Sequence, residues 1–278
     1  MLEKRRWVLL ITILAVAPLA ARAEDSSVNL NAAAPGPDSD AALAKQLQNP
    51  VAALISVPFQ NNVDFGIGAN KVDRYLLNIQ PVIPFSLNAQ WNLISRTIAP
   101  IINLPSVAPG VPSQFGLGDM TESLFLSPTA SFHGIILGAG PIFLLPTATE
   151  KALGAGKFGI GPTVVALTQR NGFTYGILAN QLWSVAGGAG RPAVNATYLQ
   201  PFLSYTWSTG TSLTVNTEST YDWTARQWTV PVNLLVSQVM KIGRQPVSLS
   251  LGGREYAVRP SGGADWGIRF VVTCLFPA

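Results

Sequence analysis

The sequence predicts an all-β fold, a transmembrane antiparallel up-and-down β-barrel of about 12 strands with a short N-terminal helix. Three observations predict it. Stretch after stretch alternates apolar and polar residues with period two, as strands with one greasy and one wet face do. In Thr211–Trp223, Leu213, Val215, Tyr221 and Trp223 take odd positions, while Thr214, Asn216, Glu218, Thr220 and Asp222 take even ones. These stretches follow a secretion signal, and their connectors run alternately long and short, as in a barrel with one end in the periplasm and the other outside.

The N-terminus supplies the signal. Lys4, Arg5 and Arg6 precede an apolar core from Trp7 to Leu19, and Ala21-Arg22-Ala23 forms a small-residue cleavage site, so residues 1–23 read as a signal peptide. The core is shorter than the roughly 20 residues a spanning helix needs. No Cys stands at the cleavage site to accept a lipid. Residues 24–50 read as a periplasmic linker and a short helix, DSDAALAKQLQNP, capped by Asp38 or Ser39 and stopped by Pro50. Such a short helix is marginal in water, so a disordered tail is expected, with a plug or a partner-docking helix as the alternatives. Residues 51–278 form the barrel.

Composition agrees. Only 12% of residues are charged and 48% are apolar, whereas a soluble surface normally requires about 25% charged residues. A lipid-facing barrel needs far fewer. Lys4, Arg5, Arg6 and Arg22 against Glu3 account for all but one unit of the formal +4 charge, and no basic run remains for nucleic acid. Cys274 is the only cysteine, which excludes an intrachain disulfide and a cysteine metal cluster. A helical membrane span is the rival reading, and strands and turns suit its best segment better. Ser123–Thr149 lacks Lys, Arg, Asp and Glu, but Pro128, Pro141, Pro146, Gly134, Gly138 and Gly140 interrupt it.

The predicted strands are 55–65, 73–84, 88–98, 120–131, 135–145, 157–169, 172–184, 194–207, 211–222, 227–240, 246–258 and 265–276. Alternation is cleanest where Trp91 and Leu93 oppose Gln90, Asn92 and Arg96, and where Trp228, Val230, Val232 and Leu234 oppose Thr229 and Asn233. Segments 135–145 and 157–169 are apolar on both faces, which leaves their register open. Short connectors fall at Pro84–Leu87, Ser131–Gly134, Arg170–Gly172, Ser208–Gly210 and Lys241–Gln245. Longer ones fall at 66–72, 99–119, 146–156, 185–193 and 259–264, with a tight turn at 223–226. An even strand count returns the C-terminus to the periplasmic side. Aromatics such as Phe59, Tyr75, Trp91, Trp183, Trp207, Trp223 and Trp228 collect near strand ends, as interfacial girdles do. In the last strand, Trp266, Ile268, Phe270, Val272, Cys274 and Phe276 share one face. It is similar to the C-terminal strand that outer-membrane barrels present to their insertion machinery.

The segment LAKQLQNPVAALISVPFQNN, followed by LLNIQPVIPFSLNAQWNLISRTIAPI and closing with IRFVVTCLFP, resembles a proteobacterial outer-membrane family described as phenol-degradation MetA-pathway-like or transporter proteins. The resemblance runs from about Leu43 to Pro277 and implies a membrane β-barrel for passage of small organic compounds. It informs the fold more than the solute.

A barrel of this size encloses a narrow lumen that inward polar residues either fill or line. The register nominates Gln60, Asn78, Gln80, Gln90, Asn92, Arg96, Asn180, Asn216, Glu218, Asn233, Arg254 and Arg269. Two readings stand. A basic constriction would favour anionic or polar aromatic solutes, or the arginines pair with Glu218 and carbonyls to satisfy a packed interior. The uncharged connector Ile101–Gly118 is the expected gating element: folded into the lumen it would narrow the pore and bring Gln114 and Phe115 to solute, the alternative being a plain surface loop. No catalytic residue, cofactor or metal is expected. The single His, His133, has Ser131 nearby for a lipid hydrolase, but both fall in a predicted turn without an orienting partner or oxyanion site. The expected partners are membrane lipid, the insertion machinery and a small solute. Oligomeric state is left open.

Overall fold

The computed structural model describes residues 39–276, so the signal peptide, its cleavage site and the start of the linker lie outside them. The strands are β1 (Ile55–Ile67), β2 (Val72–Ile79, resumed at Val82–Ser86), β3 (Trp91–Leu104), β4 (Gln114–Leu117, resumed at Met120–Pro128), β5 (Ile135–Leu145) and β6 (Lys157–Arg170). They continue as β7 (Phe173–Gly187), β8 (Asn195–Thr206), β9 (Thr211–Thr217, resumed at Ser219–Asp222), β10 (Gln227–Ile242), β11 (Gln245–Val258) and β12 (Trp266–Phe276). Each pairs antiparallel with its neighbours in sequence. β12 then pairs with β1 from Ile55↔Phe276 to Phe65↔Trp266. That pairing closes the barrel and leaves no edge to aggregate. Among the described residues no helix is long and apolar enough to cross a membrane.

The chain enters β1 and leaves β12 at the end where the turns are short. There Asn171 and Gly172 alone join β6 to β7, at φ of 51° and 80°. Two positive values in a two-residue hairpin match the right-handed twist of the strands. A Cβ on Gly172 would lie 2.9 Å from Tyr205 Cε2 and 3.0 Å from the Thr206 carbonyl. Gly172→Ala is therefore expected to cost about 1–2 kcal/mol, read as a lower midpoint in urea unfolding with the same slope.

Sequence alternation becomes two surfaces. Outside, Leu234, Val236, Leu251, Ile268 and Phe270 are exposed, an apolar belt far beyond what a water-facing surface carries. Aromatic groups bound it. At the long-loop end Tyr221 packs on Trp223 and Trp228, with centroids 4.7 and 4.9 Å apart, and Phe65 stacks on Trp266 at 4.3 Å. At the short-turn end Tyr205 packs on Phe173 at 4.8 Å and on Trp207 at 4.9 Å. Glu122, alternating with the inward Thr121 and Ser123, is a polar exception on the outer wall. Its carboxylate accepts the Ser95 hydroxyl at 2.6 Å and the Thr97 hydroxyl at 2.5 Å.

The helix α1 (Asp40–Leu47) corrects the expectation of a disordered tail. Ser39 is its cap, accepting from the Ala42 amide at 3.1 Å. Leu43 and Ala44 are buried with Ala52 and Leu54 against Val239 of β10 and Leu275 of β12. Gln169 donates to the Lys45 carbonyl at 2.7 Å, and Thr214 donates to Gln48 at 3.2 Å. A helix too short to persist in water is thus held by the inner wall at the short-turn end. Beside it, Val51 joins Ile94, Phe125, Val165, Leu167 and Leu178 in a second apolar cluster.

Candidate functional site

Above these clusters lies a cavity of about 710 Å³. Its floor is the α1 end and the following chain, Gln46–Pro50 with Ala52 and Leu54. Its far rim includes Thr220, Thr229 and Tyr256, towards the long-loop ends of β9, β10 and β11. One wall is polar and charged, and register explains how. Asn233 lies opposite both Asn216 and Arg254, Asn62 opposite Arg269, and Asp64 opposite Arg74. Residues facing one another on the inner side of adjacent strands are close enough to bond.

The result is a continuous network. Glu218 accepts from both terminal nitrogens of Arg269 and from Arg254, each at 2.7 Å. Arg269 Nε donates to Asn62 at 2.8 Å, and Arg254 Nε donates to Asn233 at 3.0 Å. Arg254 Nη1 reaches Asp64 at 3.2 Å, while Asp64 also takes Arg74 at 2.7 Å and the Tyr256 hydroxyl at 3.0 Å. Asn233 donates to Asn216 at 2.8 Å. The planar fork of arginine suits such shared carboxylates. Three arginines thus share two carboxylates.

The fourth lumen arginine differs. Arg96 Nη2 has Gln80 Oε1 at 3.3 Å, and among the described residues no carboxylate lies within ion-pair distance of it. On the same face of β3, Ile94 belongs to the apolar cluster and Ile98 lines the cavity. Tyr198 and Phe202 pack at the margin of that cluster and line the cavity too.

Of the residues nominated from sequence, Gln60, Asn78, Gln80, Arg96, Asn180, Asn216, Glu218, Arg254 and Arg269 line this cavity. Asn233 is fully buried just behind, in the network. Gln90 and Asn92 do not line it. Asn88 Oδ1 accepts the Gln90 and Trp91 amides at 2.9 and 3.0 Å, so a side-chain-closed turn replaces the predicted start of β3. Gln90 is left exposed, and Asn92 lies at the short-turn end beside Ser86 and Ser127. Asp64, Arg74, Asn62 and Tyr256 join the polar network although the sequence reading did not nominate them. The even register through Gln60, Asn78 and Arg254 passes through all four.

The expected gate is also corrected. β3 runs on to Leu104 and β4 starts at Gln114, which shortens the connector to 105–113. It is tied to the β1–β2 turn: Asn70 donates through its amide to the Val107 carbonyl at 3.2 Å and through its side chain to Ser106 at 2.9 Å. Phe115 is 71% exposed, and neither it nor Gln114 lines the cavity. Backbone pairing outcompetes folding inward, because it satisfies amides that the lumen would leave bare. At the opposite end His133 sits in the β4–β5 turn at φ 49°, edge-on to Phe132. Among the described residues no hydrogen bond joins it to Ser131, and no group of three His, Cys, Asp or Glu could hold a metal.

No family model matches the chain, and none of the curated proteins compared with it matches. Solved structures do. The COG4313 outer membrane channel from Pseudomonas putida F1 superposes with a TM-score of 0.60 at 15% identity, over 80% of this chain and 94% of that one. Outer membrane phospholipase A from Escherichia coli gives 0.46 at 12%, over 83% and 97%. OmpT from Vibrio cholerae gives 0.36 at 8%, over 80% and 98%. The first of these carries the fold, a closed antiparallel β-barrel of the kind that outer-membrane channel has.

Proposed function

We propose that the barrel is a passive channel for small organic solutes, driven by the solute's own gradient, with its short-turn end in the periplasm. The cavity of about 710 Å³ carries this reading. It has the volume of a small-molecule site, and its lining mixes amides and arginines with Leu76, Ile98, Ile142, Leu182 and Phe202. The resemblance to phenol-degradation MetA-pathway-like transporters supports the same solute class. Residues 1–23 are then a signal peptide, 24–50 a linker with its helix, and 51–278 the barrel. Its last strand, with alternate apolar residues ending on Phe276, addresses the insertion machinery.

Refolded protein in a planar bilayer is expected to show discrete, small conductance steps. A correctly closed barrel that stays silent in repeated insertions would remove the channel reading. An enzyme is the alternative, favoured only if purified protein hydrolyses phospholipid and His133→Ala abolishes that activity. The exposed turn position of His133 supports no such loss.

A further inference from the structure

We propose that Arg96 is the binding residue for an organic monoanion with an apolar body, such as an aliphatic carboxylate; this rests on the channel reading above. Four arginines, Arg74, Arg96, Arg254 and Arg269, face the lumen with two carboxylates, Asp64 and Glu218, so the cavity holds excess positive charge. The excess is localised. Arg74, Arg254 and Arg269 spend their charge on Asp64 and Glu218, whereas Arg96 has only a long bond to a neutral amide.

A guanidinium in a confined, partly apolar cavity is the place where a carboxylate gains most, because its planar fork donates to both oxygens and little water competes. The surroundings specify the rest of the ligand. One pair of residues along β3, Ile94 lies in the apolar cluster with Phe125 and Leu178. Phe202 and Tyr198 border it, while Ile98 and Ile142 line the cavity. A molecule with its anionic head on Arg96 would lay its body along these side chains. Asn78, Gln80 and Asn180 remain to take any further polar group. An inorganic anion could use the head site but would forfeit the apolar contacts.

The test compares hexanoate with 1-hexanol, which share a body and differ in charge. Calorimetric titration of the refolded protein is expected to show hexanoate binding more tightly than hexanol. Arg96→Gln should weaken hexanoate about tenfold or more, the scale of a charge-assisted hydrogen bond, with hexanol unchanged. Arg96→Lys should restore part of the loss, and because it retains the cation it keeps the test open should the glutamine variant fail to fold. Equal affinity for hexanol and hexanoate, or hexanoate binding unaltered in Arg96→Gln, would overturn the proposal. Conductance of the same preparations separates the two readings. A conducting barrel with Arg96-independent binding refutes this site alone, whereas Arg96-dependent binding to a silent barrel refutes the channel and supports the site.

Discussion

Glu218→Gln is expected to cost about 3 kcal/mol of stability, in the range for removing one partner of a buried ion pair. The carboxylate occupies the junction of three charge-assisted bonds from Arg254 and Arg269, whose side chains are only 6% and 3% exposed. An amide keeps one accepting oxygen and turns an N–H₂ donor towards nitrogens that are donors themselves. Both guanidinium groups then remain inside the barrel short of a counter-charge. Urea unfolding followed by the fluorescence of the barrel's tryptophans gives the cost directly. Adding Arg269→Met to Glu218→Gln should cost less than the sum of the two single changes, by roughly 1–3 kcal/mol, because the residues belong to one network. A single-variant loss below about 1 kcal/mol would instead mean that lumen water screens the network as it does a surface pair.

The same network shows how far the sequence could be read. Period-two alternation identifies most of the twelve strands because a barrel wall has two chemically opposite faces, and a slip of one residue would put Arg254 and Arg269 into lipid; segments 135–145 and 157–169, apolar on both faces, are recognised by length and flanking turns instead. Alternation also selects Arg254, Arg269, Glu218, Asn233 and Asn216 as inward residues, and the structure brings all five together. It says nothing about which inward residues meet, since that depends on register between strands far apart in the chain, as for Asn62 and Arg269, 207 residues apart. Hence Asp64 joins the network unannounced, although it lies on the face that Gln60 marks. Strand ends obey local chemistry instead. Asn88 closes a turn that alternation alone extends through as strand, and Gln90 is misplaced for that reason. The hardest element to read is α1, because the partners that stabilise it, Val239 and Leu275, lie near the other end of the chain.

That dependence gives the second large effect. Leu43→Asp is expected to raise the unit conductance several-fold by unseating α1 from the short-turn mouth. Leu43 is 1% exposed against Leu54, Val239 and Leu275, and burying it contributes about 1.5–3 kcal/mol. The side chains of that cluster are all apolar, so a carboxylate there cannot stay ionised without large cost. An eight-residue helix has little stability of its own, and what remains to tether it is the packing of Ala44 and Leu47 and two single hydrogen bonds, Gln169 to Lys45 and Thr214 to Gln48. The barrel does not rely on the helix for closure, because β12 pairs with β1 along eleven positions of its own register. Heat-modified gel mobility should therefore stay that of a folded barrel while the pore widens. Unchanged conductance in a folded Leu43→Asp barrel would move the constriction deeper, to Val51 among Ile94, Phe125 and Leu178. That cluster also borders Arg96 through Ile94, so a block there would narrow the path beside the anion site instead of at the mouth.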